Sequence, residues 1–570
     1  MKSMLLTAIN AKYIHSNPAI YSLRAYAGAY GAQVELAEYT INQSTQEILG
    51  DIYRKQPEFV AFSCYIWNIK IVGELIRELA LVLPGTVIWV GGPEVSYDAR
   101  AFLEAYPQVK GVMRGEGERT FLQLCGYYLE GKGSLGQILG ITFRTDRGEI
   151  LSNEPQPPVP MDEIPFPYGE WQDTSHKIVY YESSRGCPFS CSYCLSSIDK
   201  SVRFRSLKLV TRELQVFLDR KVPQVKFVDR TFNCSHRHAM GVWQYIKEHD
   251  NGITNFHFEI GADLFCREEL ELLSGLRPGL VQLEIGVQSV NPRTIEEIRR
   301  TMDLPRLSRH VEYIRKGANI HQHLDLIAGL PYEDQESFIS SFNQVYAMKP
   351  DQLQLGFLKV LKGSAMEERA LEYGLKYQPV PPYEVLSTRW LSYGEILELK
   401  GVEEMVEVYY NSHQFSQTVQ ALEPAFASPY HLFQALDEYY ERHRLKGIRH
   451  SRLGRLEILR DFALEARPAE KARYEEALLL DLYLRENSKT RPAWAPDLSP
   501  YKEQIALFYK EEASTHRLLP GYEGCTYRQL RTMTHVELFE RAGEGVELVL
   551  FDYQRRDPLT YNAWTYRRIL

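Results

Sequence analysis

Short apolar runs alternate with amphipathic segments along the first quarter of the chain. Five of the runs have the length and the β-branched or aromatic content of buried strands, and the segments between them have helical periodicity. The predicted strands are residues 4–9, 34–37, 59–63, 86–90 and 111–113, and the predicted helices are residues 19–30, 46–55, 69–83 and 97–106. This alternation predicts an α/β domain, in which a parallel sheet has helices on both faces.

A proline-rich stretch separates this region from the next. Residues 140–151 have the pattern of two short strands about an Asp-Arg-Gly turn. Prolines then crowd residues 154–168, where they disfavour helices and central strands and favour an extended, semi-rigid connector. We therefore place the first domain at residues 1–153 and a linker at residues 154–171.

A second series of strand candidates follows the linker. They are residues 177–182, 224–229, 255–260, 280–286, 321–327 and 352–357, and helical segments such as 208–221 and 294–300 separate them. Six strands predict a partial (β/α)6 barrel of the TIM type over residues 172–375. In such a barrel, the chemistry takes place at the carboxyl ends of the strands.

The remaining residues, 376–570, have mostly helical periodicity, with one strand-like run at residues 546–551. Within a basic stretch, Arg449, Arg452 and Arg455 are spaced so that they would share one helix face. Such a face binds an anion, for example tRNA or a phosphorylated metabolite, or it is a solvated surface balanced by neighbouring acids. We favour the balanced surface, which is the usual role of such charge runs.

Composition limits the class of protein. The 570 residues are 44% hydrophobic and 25% charged, which is typical of a soluble protein of two or three domains. A net charge of −8 argues against nucleic acid as a partner. Eight cysteines are too few for a disulfide scaffold, and no apolar run approaches the roughly 20 residues that span a bilayer. We expect a cytoplasmic protein without a signal peptide or membrane segment.

Three cysteines lie within one short segment. Cys187, Cys191 and Cys194 are separated by three and then two residues, with Tyr193 before the last. Thiolates suit iron–sulfur clusters and zinc, and three of them leave one metal position open. A zinc knuckle or scattered buried cysteines would be the alternative, but zinc favours a fourth ligand nearby, and none follows within about thirty residues.

This C-x3-C-x2-C run resembles the signature of the radical S-adenosylmethionine (radical SAM) enzymes. The resemblance implies that Cys187, Cys191 and Cys194 are catalytic and hold three irons of a 4Fe–4S cluster. The fourth iron would chelate S-adenosylmethionine (SAM), whose reductive cleavage yields a 5′-deoxyadenosyl radical. The family also implies SAM contacts at the cysteine loop and at the strand ends, although each carboxylate there could instead be a salt-bridge partner. The implied SAM-binding residues are Tyr193, Asp229, Arg230, Thr231, Glu259, Glu284 and Gln288.

The loops after the first-domain strands resemble those of the Rossmann-like cobalamin-binding domain that precedes one class of radical SAM enzymes, class B. The implied cobalamin-binding residues are Tyr13, His15, Ser63, Tyr65, Trp67, Gly91, Gly92, Pro93, Glu94, Gly115 and Glu116. His15 lies in the loop that carries the cobalt ligand in many relatives, but the flanking Asp and Gly of that motif are missing. The lower face of the corrin could instead meet Tyr65 or Trp67. A nucleotide- or flavin-binding fold is the alternative, but Gly-x-Gly-x-x-Gly does not follow the first strand.

The two resemblances together imply a cobalamin-dependent radical SAM enzyme with an uncharacterised helical C-terminal extension. The expected activity is a methyltransferase that acts on an unactivated carbon through a 5′-deoxyadenosyl radical and methylcobalamin. The alternatives are a non-methylating enzyme that catalyses cyclisation, ring contraction or oxidation, and a sensor whose cluster is regulatory. The expected partners are a small-molecule or peptide substrate rather than tRNA, and an electron donor such as flavodoxin or ferredoxin.

Overall fold

The computed structural model describes residues 3–169, 176–541 and 545–569. The chain forms two compact units, one of Met1–Phe338 with Gly356–Ile396 and the other of Ile339–Leu355 with Leu397–Leu570. The end of the predicted linker and the start of the predicted barrel, residues 170–175, lie outside the described residues. The predicted domain boundaries therefore stay predictions.

The first unit begins with a mixed sheet in the described range 3–169. Its strands lie in the order β2-β1-β3-β4-β5-β6-β7, with β1 to β5 parallel and β6 and β7 antiparallel. The strands are β1 (Met4–Asn10), β2 (Val34–Thr40), β3 (Phe59–Ser63), β4 (Val87–Gly91), β5 (Val109–Met113), β6 (Ile141–Arg144) and β7 (Ile150–Ser152). The five predicted strands and the hairpin are confirmed.

Helices cover both faces of this sheet because its central strands are apolar on both. Along β1, Leu5 and Ile9 pack in one core, and Met4, Leu6 and Ala8 pack in the other. The helices are α1 (Pro18–Tyr26), α2 (Thr45–Lys55), α3 (Ile69–Val82), α4 (Pro93–Ser96), α5 (Ala99–Ala105) and α6 (Glu118–Glu130). The helix predicted over residues 19–30 ends early, since Gly28 has φ +58° and a 3-10 turn follows.

A second sheet, of six strands in the described residues, has the order β15-β14-β13-β12-β11-β8, and its pairs from β8 to β14 are parallel. A two-stranded antiparallel pair, β9 with β10, lies between β8 and β11 in the chain. The strands are β8 (Val179–Tyr181), β9 (Ser184–Arg185), β10 (Arg203–Phe204), β11 (Gln224–Phe227), β12 (Asn255–Ile260), β13 (Val281–Gln288), β14 (His321–Ala328) and β15 (Gln352–Phe357). Their sequential order is that of a partial barrel, as predicted.

Helices connect these strands, and a short segment follows the last of them. The helices are α7 (Leu207–Asp219), α8 (His236–Glu248), α9 (Arg267–Ser274), α10 (Pro292–Glu297), α11 (Leu304–Gly317), α12 (Gln335–Ala347) and α13 (Ala365–Glu368). After α13, the strands β16 (Lys376–Tyr377) and β17 (Val385–Ser387) form a small antiparallel pair. The helices place the loops after β11, β12 and β13 at one end of the sheet, where the predicted chemistry belongs.

The C-terminal third is mostly helical and ends in an antiparallel sheet. Its elements are α14 (Tyr393–Val406), α15 (Ser416–Leu422), α16 (Pro429–Arg442), α17 (Arg452–Ala466), α18 (Lys471–Arg485), α19 (Lys502–Thr515), α20 (Tyr527–Met533), β18 (Thr534–Arg541), β19 (Gly545–Arg556) and β20 (Ala563–Ile569). One strand was predicted in residues 376–570, and the described residues there also form β16, β17, β18 and β20. The strands β18 and β20 cover both edges of the apolar β19.

The basic stretch in this third is paired with acids. Arg449 precedes α17, so the prediction that it shares a helix face with Arg452 and Arg455 is wrong. Arg442 contacts Glu465 at 2.8 Å, and Arg460 contacts Glu475 at 2.6 Å. These ion pairs agree with a balanced surface rather than a free basic face. Among the described helices, none combines the length and the hydropathy needed to cross a bilayer.

Candidate active site

The cysteine loop is held at its base by β9 and β10. Arg185 is the register partner of Arg203 in this pair. Gly186 has φ +94°, and a Cβ there would lie 2.4 Å from the Ser201 carbonyl oxygen, so only glycine allows the loop to close. The Cys187 amide then donates to the Asp199 carbonyl at 3.1 Å.

The three cysteines of this loop line one cavity of about 200 Å³. All three are free thiols. Within the part of the chain that the structure describes, the other residues lining the cavity include no further cysteine and no histidine. The three cysteines predicted as cluster ligands therefore line one cavity, and their role as ligands stays a prediction.

A half-buried arginine lies beside these thiols. Arg300 approaches Cys191 Sγ at 3.8 Å and the Tyr193 hydroxyl at 3.3 Å, and it donates to the Gly286 carbonyl. Burial raises the pKa of the Cys191 thiol, and the guanidinium of Arg300 opposes that rise. On the other side, Thr231 Oγ1 lies 3.8 Å from Cys187 Sγ. Arg300 thus supplies positive charge where thiolates would gather.

Strand ends bring carboxylates to the same cavity. Glu259 on β12 and Glu284 on β13 are register partners, so their side chains lie on the same face of the sheet. Glu284 accepts hydrogen bonds from Lys226 Nζ at 2.8 Å and from His257 Nε2 at 2.9 Å. Gln288 and Asp325 also line the cavity.

The two glutamates differ in their electrostatics. Burial alone would raise the pKa of Glu284, but the hydrogen bond from His257 and the charge of Lys226 outweigh it and hold that pKa well below its usual range. Burial and the neighbouring charge of Glu284 raise the pKa of Glu259 to about 7. One carboxylate is therefore fixed as an anion, and the other changes charge near neutral pH.

Asp229 and Arg230, adjacent in the chain, have different surroundings. Asp229 is buried and accepts hydrogen bonds from the Ser183 amide at 3.0 Å, the Ser183 hydroxyl at 2.7 Å and the Ser184 hydroxyl at 2.5 Å. It ties the end of β11 to the segment before the cysteine loop. Arg230 is exposed and lines the cysteine cavity as well as a larger neighbouring cavity.

The larger cavity measures about 630 Å³ and lies between the loops of the first sheet and the strand ends of the second. Gly92 has φ +113°, and a Cβ there would meet the Cys64 carbonyl oxygen at 2.5 Å, so only glycine fits where this cavity-lining backbone packs against Cys64. Seven of the predicted cobalamin-binding residues line this cavity, namely Ser63, Tyr65, Gly91, Gly92, Pro93, Gly115 and Glu116.

An ionic cluster in the wall of this cavity links the two sheets. Arg185 contacts Glu118 at 2.5 Å, Glu182 at 2.9 Å and Glu116 at 3.3 Å. Glu116 also contacts Arg203. Burial of Glu118 favours its neutral form, but Arg185 outweighs this effect, and the pKa of Glu118 is lowered. The loop after β5 is thereby fixed to the base of the cysteine loop.

Three family models match consecutive parts of the chain. Residues 4–125 match the B12 binding domain, residues 181–345 match the radical SAM superfamily, and residues 371–548 match a family described only as a protein of unknown function, DUF4080. The chain therefore joins a B12-binding domain to a radical SAM domain. The family recognised in the sequence and the predicted fold class are confirmed.

Curated relatives and a solved structure agree with this. The chain is 25% identical over 317 residues to the uncharacterized methyltransferase PH0819 of Pyrococcus horikoshii. This alignment covers 54% of this chain and 66% of that protein. It is 24% identical over 358 residues to the cobalamin-dependent radical SAM methyltransferase TokK of Streptomyces tokunonensis, with 58% and 51% covered. The fold matches that of the cobalamin-dependent SAM radical enzyme OxsB with a TM-score of 0.58 at 14% identity, covering 84% of each chain. The chain thus spans about half to two thirds of the length of these curated relatives.

The two matched domains imply three cofactors, a 4Fe–4S cluster, SAM and cobalamin. The radical SAM domain fits the first two, because three thiols face one cavity in which Gln288 Oε1 and Arg300 Nε are buried without a hydrogen-bond partner among the described residues. The B12-binding domain fits the third, because its glycine-lined cavity has room for a large ligand beside the cluster cavity. A radical SAM domain also needs an external reductant.

Four of the predicted cobalamin-binding residues are not among those that line the larger cavity. Tyr13 is 70% exposed. His15 Nδ1 lies 2.7 Å from the Tyr180 hydroxyl, in a loop that bonds to the start of the radical SAM domain. Trp67 stacks on Tyr65 at 4.4 Å and donates to a backbone carbonyl, and Glu94 accepts a hydrogen bond from Tyr383.

Sequence reasoning missed Arg185, Arg300, Glu118 and Asp325. Arg185 directly precedes the Gly186-Cys187 pair, and its charge opposite the acidic loop after β5 is a signal that only the fold makes visible. Arg300 reaches the cysteines across more than a hundred residues of chain, and no local pattern marks it. Asp325 lies on a predicted strand, where alternation of polar positions could have indicated it.

Proposed function

We propose that this protein is a cobalamin-dependent radical SAM methyltransferase that acts on an unactivated carbon. The observation that carries the proposal is the adjacency of two cavities within one unit, one lined by the three cysteines and one by the loops of the B12-binding domain, with Arg230 lining both. The names of the relatives PH0819 and TokK support the methyl transfer.

In this proposal, Cys187, Cys191 and Cys194 hold the cluster, and Arg300 stabilises the thiolates by its charge. When bound, the cluster and SAM supply a 5′-deoxyadenosyl radical, and cobalamin supplies the methyl group. The protein positions the reacting groups and excludes water, which is the usual division of labour with such cofactors.

The strand-end residues would bind SAM. We assign the anionic Glu284, together with Glu259 and Gln288, to hydroxyl and ammonium groups, because acceptors in a partly closed site orient such donors. Thr231, Tyr193 and Arg230 line the same cavity and would complete the contacts. Asp229 would act indirectly, since its oxygens are already bonded to Ser183 and Ser184.

The loops of the B12-binding domain would hold cobalamin. Gly91, Gly92 and Gly115 leave room for close backbone approach, and Ser63, Pro93 and Glu116 line the wall. Because Tyr65 lines the cavity and His15 forms a hydrogen bond with Tyr180, we propose that Tyr65 would contact bound cobalamin and that His15 would not be a ligand of it. Tyr13, Trp67 and Glu94 would then support the loops rather than touch the cofactor.

The partners follow from this chemistry. We propose a small-molecule or peptide substrate rather than tRNA, because the basic residues Arg442, Lys446 and Arg460 are paired with acids. A one-electron donor such as flavodoxin or ferredoxin would reduce the cluster. We propose a cytoplasmic location, where free thiols such as the eight of this chain persist.

The decisive experiment analyses the products of the reconstituted protein under anaerobic conditions. Protein loaded with iron, sulfide and hydroxocobalamin is incubated with methyl-labelled SAM and a strong reductant. We expect 5′-deoxyadenosine together with S-adenosylhomocysteine, and the label on cobalamin. A Cys191→Ala variant, which lacks one cluster ligand, should give no 5′-deoxyadenosine and serves as the control.

Other outcomes would reject the proposal. If 5′-deoxyadenosine forms without S-adenosylhomocysteine, the non-methylating alternative of cyclisation, ring contraction or oxidation is favoured. If cobalamin does not bind while the cluster is intact, both the methyltransferase proposal and its non-methylating alternative are rejected.

A further inference from the structure

Three metal-ligating side chains meet outside the cluster cavity. His236 begins α8, and Cys266 and Glu269 belong to the first turn of α9 and its cap. His236 Nδ1 lies 3.3 Å from Cys266 Sγ and 3.2 Å from Glu269 Oε1. The three donor atoms all lie within 4.8 Å of one another. A nitrogen, a sulfur and an oxygen donor therefore face a common point.

Hydrogen bonds do not satisfy all the polar atoms of these three side chains. Glu269 Oε2 accepts from the Cys266 amide at 3.0 Å, as in a capping box. Glu269 Oε1 is buried, and its 3.2 Å contact with His236 Nδ1 lacks the geometry of a hydrogen bond. The Glu269 residue is 1% exposed. A proton on His236 Nδ1 can point at the sulfur or at the carboxylate, not well at both. A cation at the common point would satisfy all three atoms at once.

The donor set and the distances fit one class of ion. Zinc binds thiolate sulfur, imidazole nitrogen and carboxylate oxygen in a tetrahedron. From its usual bond lengths, neighbouring ligand atoms should lie roughly 3.3–3.6 Å apart, close to the two distances between these side chains. The His236 side chain is 55% exposed, so the fourth position would be open to water.

We infer that His236, Cys266 and Glu269 bind a divalent zinc-type cation separate from the iron–sulfur cluster. This inference does not rest on the proposed function. The site lies on the outer side of the loops after β11 and β12, which Asn233 joins by two hydrogen bonds of 2.9 Å to Gly261. The inner sides of these loops line the cluster cavity through Thr231 and Gly261. The cation would fix both loops in place without touching the reacting groups.

The test measures metal in a protein that cannot hold the cluster. In a C187A/C191A/C194A background, purified without added iron and passed over a chelating resin, we expect about one zinc per chain by mass spectrometry of the metal. Replacement by Co²⁺ should produce the thiolate charge-transfer band and the intense visible bands of tetrahedral cobalt. Cys266→Ser and His236→Ala should each abolish both signals.

Matched controls are available in the same loops and helix. Cys234→Ser removes a nearby cysteine, and His249→Ala removes the exposed histidine at the end of α8, so both should keep the metal. Circular dichroism checks that each variant is folded, and the wild-type apoprotein titrated with Co²⁺ repeats the measurement without the triple background. Metal below about a tenth of an equivalent, or metal that persists in both Cys266→Ser and His236→Ala, would overturn the inference. Neither result bears on SAM cleavage or methyl transfer.

Discussion

Glu259 and Glu284 occupy equivalent positions on adjacent strands but have opposite electrostatic environments. Lys226 and His257 both bond to Glu284, whereas the charges of Arg230 and Lys226 only partly offset the burial of Glu259. Because burial and the charge of Glu284 raise the pKa of Glu259 to about 7, its negative charge in the folded protein is unfavourable. That penalty is absent below the ordinary pKa near 4.5 and grows until the pH passes about 7.

Replacing Glu259 by Gln should therefore change how stability depends on pH. We expect the cofactor-free Glu259→Gln protein to be more stable than the wild type by about 2 kcal/mol at pH 8.5 and about equally stable near pH 4. Thermal unfolding at both pH values measures this. Glu336→Gln, on the exposed side of α12, should show no such pH-dependent difference. A stabilisation of the same size at both pH values would contradict the raised pKa of Glu259.

At the scale of elements, the local pattern of apolar and polar residues was sufficient to predict the strands of the two parallel sheets. The runs in β1 and β3 were predictable because they are apolar over nearly their whole length, as buried parallel strands are. Those in β12 and β14 were predictable because their apolar residues alternate with polar ones. The cysteine loop was predictable because its ligands are close in the chain. The position of each side chain in the folded site was not, since Arg185 and Arg300 reach it through tertiary contacts.

The C-terminal third shows the same limit. Helical periodicity identified most of it, but β18 and β20 carry alternating or charged residues whose strand conformation depends on pairing with β19. Arg449 was placed on a helix by its spacing, yet α17 begins at Arg452, with Ser451 as its cap. A charge pattern without an apolar stripe does not determine where a helix begins.

The loop after β4 gives a prediction about backbone conformation. Gly92 has φ +113°, and an added Cβ would lie 2.5 Å from the Cys64 carbonyl oxygen, whereas Gly148 has φ +87° and open space around it. Gly92→Ala should cost about 3 kcal/mol or more and weaken cobalamin binding, while Gly148→Ala should cost only about 1–2 kcal/mol. Thermal unfolding and cobalamin absorbance measure both effects. Equal losses in the two variants would show that the close approach at Gly92 has no role.

The ionic cluster between the two sheets gives a prediction about coupling. Arg185→Met leaves Glu118 and Glu182 without their shared cation and should lower stability by about 3–5 kcal/mol. Adding Glu118→Gln should restore about 1–2 kcal/mol, because one uncompensated charge is removed. The free energy of the first urea unfolding transition is measured for the wild type, both single variants and the double variant, which together form a double-mutant cycle.

The control for this cycle is an exposed ion pair on the same sheet. Lys110 contacts Asp146, whose side chain is fully exposed, so Lys110→Met should cost less than about 1 kcal/mol. If Arg185→Met and Lys110→Met are equally mild, or if the two losses in the Arg185 cycle simply add, the cluster does not hold the loop after β5 to the cysteine loop.

At the scale of the whole molecule, the two cofactor cavities belong to one compact unit and share Arg230. Arg230 is exposed and carries a long, flexible cation, so the charge of a ligand in either cavity changes where that cation is best placed. A residue whose position responds to the ligands of two sites links the binding of those ligands, and the linkage is reciprocal. The protein should therefore bind SAM with different affinities in the presence and absence of cobalamin.

This linkage can be measured without knowledge of the substrate. In cluster-loaded wild-type protein, we expect hydroxocobalamin to change the dissociation constant of SAM by about fivefold or more, measured by equilibrium dialysis. Arg230→Met should reduce that factor to near one while both ligands still bind, since the cysteines and the glycine loops are unchanged. Arg237→Met removes an exposed cation of α8 and should leave the factor intact. An unchanged factor in Arg230→Met would mean that the cavities communicate through other residues, because adjacency alone does not couple two sites unless a group responds to both ligands.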